Sequence, residues 1–375
     1  MPALFLLHLV GQESVGSTAA LAGTGFAVGA RHPEQLLTDA VEEALDKLRG
    51  QAVTAALCLF SPPLAPVHPL MLQTQMKRLA CLRIAAATFP GVFTESGQSL
   101  GDTACAVLLL ASPLGLSSNG QGILSAPRLS WARPDQAIAA PWLSAAPHIG
   151  SLSSRAGRFW LQTQSQCDPV VLGFRGVSTQ YSVCSAGLRP LSTPLPVTAQ
   201  EGSLLLQLER YLTLPMLAQH IPFHMRQESR LPLERLLIGE IRADTDPDAP
   251  PDLLHIRATD LNRSGLWLER PLSGDAHAFI TLRDPVSAER DTRSALETLM
   301  NAMPSPAFAW ISSSVGRDAA FFSGLDRDLE LWRAHYPTLP TLGVYGMGEL
   351  LPMQKTSYFL RYSKVFSVFS AFTAQ

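Results

Sequence analysis

Two turns near the C-terminal end of the sequence carry side chains that could bind a small charged molecule. Residues 309–317 form an apolar run that passes into a Ser/Gly turn ending at Arg317, and residues 343–352 place three glycines within six residues before Glu349. Glycine lets the backbone approach a ligand or another backbone closely. The guanidinium and the carboxylate could pair with each other, or could face the carboxylate and ammonium groups of a ligand. Spacing alone favours the internal pair and leaves the ligand contact open.

The serine run from Ser312 to Ser314 could supply a nucleophile. With a histidine and Glu349 it would form the set of groups that covalent hydrolysis needs. The sequence contains no Gly-x-Ser-x-Gly elbow, no Walker loop and no His-Glu-x-x-His motif, which are common enzyme signatures. A hydrolase-like enzyme is therefore the least favoured hypothesis, and no catalytic residue is predicted.

The histidine and aspartate patterns predict no metal site. His220 and His224 have the spacing of helical metal ligands, but Pro222 lies between them and interrupts the helix. The acidic stretch 244–252 contains three prolines and lacks the ending of a calcium loop. It is predicted to be a solvated hairpin loop.

Composition restricts the class of partner and the compartment. The 375 residues are 46% hydrophobic and 16% charged with a formal net charge of -2, so a large core is expected and nucleic acid is not an expected partner. The 5 cysteines are scattered without Cys-x-x-Cys spacing, which is typical of a reducing compartment. No stretch approaches the roughly 20 apolar residues that cross a bilayer. The sequence predicts a cytoplasmic protein with no membrane partner.

The elements that must position the candidate side chains alternate between helix and strand. Pro33, followed by apolar residues at helical spacing up to Leu48, predicts a helix. The apolar run 52–60 predicts a strand that is covered on both faces. Ser287 is predicted to cap a long helix that ends before Pro304.

This alternation predicts an α+β (mixed α/β) fold with two sheet-and-helix domains, whose strands are largely buried by helices. The predicted units are an N-terminal lead-in over residues 1–24, a first domain over 25–203 and a second domain over 204–375. Short helices are predicted at residues 204–212 and 215–220 at the start of the second domain.

The two C-terminal turns resemble the signature of the C-terminal FIST (F-box and intracellular signal transduction) domain. That family has a Cys-x-Gly-Arg turn and, after a helix, a Gly-[Phe/Tyr]-Tyr-Gly-x-Gly-Glu-Ile-x-Pro turn. The corresponding residues here are 314–317 and 343–352. Residues 185–198 are similar to the family's Ser-x-Gly-x-Arg-Pro … Val-Thr segment, and residues 282–284 match a strand before the long helix. The resemblance covers residues 26–352.

Two positions depart from the family pattern. Ser314 stands where the family usually has cysteine, and Ala86, Ala87 and Thr88 stand where Gly-Cys-Thr or Gly-Cys-Ser is usual. A thiol-ligated metal or haem is therefore not expected at these positions.

The resemblance implies a standalone sensory protein that binds a small-molecule ligand in a cleft between its domains and signals to a partner protein. The implied ligand is an amino acid or another small anion, and the implied partners are a histidine kinase or a cyclic-dinucleotide enzyme. The candidate ligand-binding residues are Arg317, Glu349, Gly348, Gly346, Tyr345, Ser314, Arg283 and Arg189.

Haem is the second ligand hypothesis, because some standalone members of the family bind haem and sense nitric oxide. Haem iron needs an axial His, Cys, Tyr or Met ligand. The spacing of the 9 histidines selects none of them. His68, His148 and His335 are predicted to lie near loops or helix ends.

Overall fold

The computed structural model describes nine stretches of the chain: residues 20–62, 68–118, 128–137, 146–167, 169–227, 231–243, 246, 249–354 and 356–372. Most of the predicted lead-in and part of the predicted 244–252 loop lie outside these residues. The helices α1 to α7 are Pro33–Leu48, Pro69–Arg78, Pro134–Ala137, Thr213–His220, Phe223–Arg226, Pro285–Ala302 and Arg327–His335. None of the helices in the described stretches is long and apolar enough to cross a bilayer.

The strands are numbered β1 to β26 in chain order. Strands β1 to β12 are Ala22–Val28, Val53–Phe60, Ile84–Thr88, Gly91–Thr94, Gln98–Leu100, Ala104–Ala111, Gly115–Ser118, Arg128–Ala132, His148–Leu152, Phe159–Leu161, Gln164–Gln166 and Val170–Arg175. Strands β13 to β21 are Val177–Ser185, Leu188–Pro190, Leu195–Glu201, Leu204–Leu208, Tyr211–Leu212, Leu236–Ile241, Asp252–Asp260, Gly265–Leu268 and His277–Arg283. Strands β22 to β26 are Phe308–Ser314, Thr341–Gly346, Glu349–Met353, Thr356–Leu360 and Lys364–Ala371.

Sheet I has the strand order β1-β6-β2-β3-β10-β11, and sheet II has the order β13-β26-β22-β23-β4-β5. Each sheet contains one central parallel pair, β2 with β3 in sheet I and β22 with β23 in sheet II, and each of these strands follows a helix. The first three strands in each order pair antiparallel to one another. Helices α1 and α2 cover the outer face of sheet I, while α6 and α7 cover the outer face of sheet II. The same arrangement of strands and helices therefore occurs twice, once in sheet I and once in sheet II.

The central core lies between the inner faces of the sheets, where strands bury strands. Sheet III, with the order β25-β24-β9-β8-β12-β7, contributes to this core together with sheets I and II. The indole rings of Trp131 in sheet III and Trp310 in sheet II lie 6.1 Å apart there. Helices thus cover the outer faces as the sequence predicts, and sheet-on-sheet packing covers the inner ones.

Sheets II and III contain strands from both sides of the predicted division at residue 203. The hairpin β4–β5 pairs with β23, and β9 pairs with β24. In sheet I the strand that pairs with β3 is β10, not a strand of this hairpin. The division at residue 203 therefore does not coincide with a boundary between sheets.

The segment between β13 and α6 forms a closed barrel. Its strands follow the order β21-β15-β16-β20-β19-β18, and β18 pairs back with β21. A separate apolar core that includes Leu205, Leu254 and Ile280 fills the barrel. Closure removes the free edges that an open sheet of these strands would expose.

Two local predictions made from the sequence are wrong, and two are confirmed. Residues 204–212 form β16 and β17, because pairing and burial within the barrel outweigh the helical preference of leucine. The cap of α6 is Asp284, whose carboxylate accepts a hydrogen bond from the Ser287 N–H at 2.8 Å. The predicted helices after Pro33 and near residue 215 are confirmed as α1 and α4.

Candidate ligand-binding cleft

A cleft of about 500 Å³ opens between the barrel and sheets II and III. The barrel contributes His255 and Arg257 from β19 and Glu269 from the turn after β20. The remaining lining comes from sheet III, from the turn after β22 and from neighbouring loops: Pro134, Leu152, Ser154, Arg155, Ser314, Val315, Met347, Phe359, Arg361 and Tyr362. Its position between two structural units is typical of ligand sites.

The Gly346–Gly348 turn forms one wall of the cleft. The Met347 N–H donates to the Leu152 carbonyl at 2.7 Å, and the Leu152 N–H donates to the Gly348 carbonyl at 2.8 Å. The Val315 N–H donates to the Gly346 carbonyl at 2.9 Å. These bonds place the Met347 side chain at the cleft, so the glycine-rich motif shapes the site through its backbone.

Gly346→Ala is expected to destabilise the fold by about 1–3 kcal/mol, because a Cβ atom would lie 1.9 Å from Ser151 Oγ and 2.7 Å from the Leu152 carbonyl oxygen. Thermal or chemical denaturation measures the loss. Gly274→Ala is the matched control, since a Cβ atom there meets nothing within 4 Å. Equal stability of the two variants would contradict the close packing at Gly346.

The cleft carries excess positive charge. Three arginines and one glutamate line it, which gives a formal charge of +2 with a neutral histidine. Arg361 Nη1 lies 2.5 Å from Glu269 Oε1, and Arg257 Nη2 lies 3.8 Å from Glu269 Oε2. Arg155 is exposed and has no ion pair within the described part of the chain.

His255 and Tyr362 join the barrel to the opposite wall of the cleft. The Tyr362 hydroxyl hydrogen-bonds Nε2 of His255, and the Arg283 guanidinium lies over the Tyr362 ring at 4.2 Å. Burial lowers the pKa of His255, and the nearby arginines lower it further against the opposing effect of Glu269. The imidazole is therefore neutral at neutral pH and can accept the Tyr362 O–H.

Arg283 stands behind Tyr362 and outside the lining of the cleft. Its Nη2 donates to the Gly316 carbonyl, in the turn that follows β22. Arg283 thus supports the cleft wall from behind, in place of the ligand contact predicted from sequence. Arg189 is exposed on β14 and does not line the cleft either.

Arg317 is internal, with 1% of its surface exposed. Its Nε donates to Asp328 Oδ2 at 2.7 Å, and its Nη2 donates to Ser185 Oγ at 2.5 Å and to the Ala288 carbonyl at 3.2 Å. The carboxylate partner of Arg317 is Asp328, so the Arg317–Glu349 pair considered from sequence does not form. The guanidinium has no contact left for a ligand in the cleft.

Tyr345 lies in the same buried polar network as Arg317 and Asp328, beneath the helices. Its hydroxyl donates to Asp326 Oδ2 at 2.6 Å, and burial raises its pKa, as does Asp326. Lys364 Nζ lies 3.0 Å from Asp326 Oδ1 and 3.8 Å from Asp328 Oδ2. Two cations and two carboxylates are thus balanced beneath α6 and α7.

Glu349 is fully buried between the cleft wall and this network. Its Oε2 accepts hydrogen bonds from the Ser363 hydroxyl at 2.8 Å and the Ser363 N–H at 3.3 Å, while Oε1 has no partner among the described residues. Burial raises the pKa of Glu349 to about 8, although the Ser363 bonds, Arg317 and Lys364 lower it. Near neutral pH the carboxyl therefore holds a proton.

Of the predicted ligand residues, Ser314 lines the cleft, and Gly346 and Gly348 shape it. The serine nucleophile set does not form: Ser312 Oγ donates to the Gly150 carbonyl at 2.7 Å, Ser314 Oγ accepts from the Gly316 N–H at 3.3 Å, and neither bonds a histidine within the described stretches. Those stretches also contain no cluster of three or more His, Cys, Asp or Glu side chains that could hold a metal.

The residues of the cleft do not fit a haem site. His255 could ligate iron, but its Nε2 is bonded to Tyr362, and the charged lining does not suit the apolar face of a porphyrin. The histidines considered from sequence lie elsewhere. Nδ1 of His68 caps α2, Nδ1 of His148 bonds Ser130 Oγ at 2.6 Å, and Nδ1 of His335 bonds the Leu331 carbonyl at 2.8 Å.

The charged residues that line the cleft are not among those predicted from the sequence. His255 and Arg257 alternate with buried Leu254 and Ile256 along β19, so they occupy the outer face of a barrel strand. The alternation indicates from sequence that His255 and Arg257 share the outward face of a strand, but it does not indicate which part of the protein that face meets.

Comparisons with known proteins assign no family to the chain. No protein-family model matches it, and no curated protein shows significant similarity to it. Its function must therefore be inferred from the cleft and from the C-terminal motifs.

Proposed function

We propose that the chain is a standalone sensory protein of the FIST type, which binds a small anionic molecule in the cleft and signals to a partner protein. The observation that carries the proposal is the positively charged cleft between the barrel and the sheets, with Ser314 and the Gly346–Gly348 turn in its walls. An exposed arginine in a confined site attracts carboxylate or phosphate groups.

The Tyr362–His255 contact supports a signalling role. It joins the barrel to the turn between β25 and β26 across the cleft, and Arg283 extends it to the turn after β22. A ligand that contacts Tyr362 binds best to one barrel position, and its binding shifts the population toward that position. A histidine kinase or a cyclic-dinucleotide enzyme would sense the new surface.

The first test is a thermal-shift screen of amino acids, small carboxylic acids and inorganic phosphate, together with an absorption spectrum of the purified protein. Binding of one of these compounds supports the proposal. A Soret band would replace it with the haem hypothesis, and a screen without any shift would overturn it.

Met347→Trp is expected to weaken binding of a compound found in the screen at least about tenfold, since the indole would occupy the cleft. Met347 is 48% exposed, so the fold should tolerate the change. Titration calorimetry measures the affinity. Leu325→Trp, at a position 60% exposed and outside the cleft, is the control and should bind normally. Unchanged affinity of the Met347 variant would place the ligand elsewhere.

A further inference from the structure

The charges of the cleft discriminate between ligand classes. Arg361 is neutralised by Glu269 at 2.5 Å, while Arg257 lies 3.8 Å from the same carboxylate and its side chain is 67% exposed. Arg155 has no ion pair among the described residues. Two guanidinium groups therefore remain available to anionic groups of a ligand.

The described lining offers no free carboxylate to an ammonium group. Glu269 is its single acidic residue, its side chain is only 14% exposed, and two arginines flank it. The Gly316 carbonyl beside the cleft already accepts a hydrogen bond from Arg283. A ligand ammonium would be desolvated beside cations without compensation, which is unfavourable.

The geometry points to a small organic dianion without an ammonium group as the ligand, with Arg155 and Arg257 pairing its two charges. This inference rests on the proposed function. A dicarboxylate and a phosphomonoester share the required charge. Leu152, Val315 and Phe359 supply apolar contacts for the carbon skeleton.

Two matched pairs of probes test the inference by titration calorimetry on the full chain. Succinate and L-aspartate differ by one ammonium group, as do ethyl phosphate and phosphoethanolamine. We expect the dianion of at least one pair to bind at least about tenfold more tightly than its ammonium-bearing partner, and raising the salt from about 50 to about 500 mM should weaken it. The pair that responds distinguishes a carboxylate ligand from a phosphate ligand.

Matched variants locate the binding site. Arg155→Gln and Arg257→Gln should each weaken dianion binding about tenfold, the effect of one lost charge-assisted contact. Arg175→Gln removes an exposed arginine outside the cleft and should leave affinity unchanged.

Tighter binding of either ammonium-bearing probe through the cleft would overturn the inference and leave the proposed function intact. Absence of binding by both dianions would also overturn it. The broader thermal-shift screen, which also contains amino acids and inorganic phosphate, then decides the proposed function independently. Loss of dianion binding in Arg175→Gln alone would show that the site lies outside the cleft.

Discussion

Arg317→Ala is expected to lower the free energy of unfolding by about 3–5 kcal/mol, the usual cost of removing one partner of a buried ion pair. The guanidinium is 1% exposed and bonds Asp328, Ser185 and the Ala288 carbonyl. Its loss leaves Asp328, which is fully buried, with Lys364 at 3.8 Å as its remaining cation. Chemical denaturation at neutral pH measures the change.

Arg327→Ala is the control for this variant. Arg327 pairs with Glu330 at 2.6 Å, but both side chains are at least 40% exposed, so water and salt weaken the pair. We expect its loss to cost at most about 1 kcal/mol. If Arg317→Ala were as stable as Arg327→Ala and yet lost ligand binding, Arg317 would be a ligand anchor, as the sequence motif suggested.

The partner of Arg317 shows what the sequence could not predict. Both turns are recognisable from the sequence, because glycines and charged residues interrupt apolar strands there. Asp328, however, looks from sequence like an ordinary acidic residue in the first turn of a helix. Only the packing of α7 against sheet II brings its carboxylate to the guanidinium.

Local patterns in the sequence predict α1, but they do not predict how the strands pair into sheets. Pro33 and the apolar spacing up to Leu48 define α1 within a single segment of chain. The pairing of β4 with β23 joins residues near 92 to residues near 344, and no local pattern specifies such a partner. The barrel likewise closes through β18 and β21, which are separated along the chain.

The cleft follows from those long-range pairings. Its charged residues come from β19, from the turn after β20 and from the loops around β9 and β25, so they meet only after the barrel docks beside sheet III. The hypothesis from the sequence is a ligand in a cleft between the two predicted domains, with Arg317, Glu349 and Arg283 as its contacts. The structure places these three behind the cleft walls.

Glu349→Gln is expected to flatten the pH dependence of stability. Burial raises the pKa of Glu349 to about 8 from its usual 4.5, so the folded protein keeps a proton that the unfolded chain releases between these values. The stabilising contribution of the neutral carboxyl is thus complete below about pH 4.5 and is lost as the pH rises through about 8. At about 1.4 kcal/mol per pH unit, the wild-type protein should lose up to about 5 kcal/mol over this range.

The variant isolates this effect because glutamine is uncharged at every pH and can still accept the Ser363 hydrogen bonds. Unfolding free energies measured by chemical denaturation from about pH 5 to about pH 9 should converge at the acidic end, with the variant more stable at the alkaline end. Glu297→Gln, on the exposed side of α6, should follow the wild-type profile. Parallel profiles for Glu349→Gln and the wild-type protein would mean that Glu349 is already ionised in the fold. Its orphaned Oε1 would then have to be satisfied by water or by a cation reaching in from the cleft, because an ionised carboxylate at that depth cannot remain without a partner.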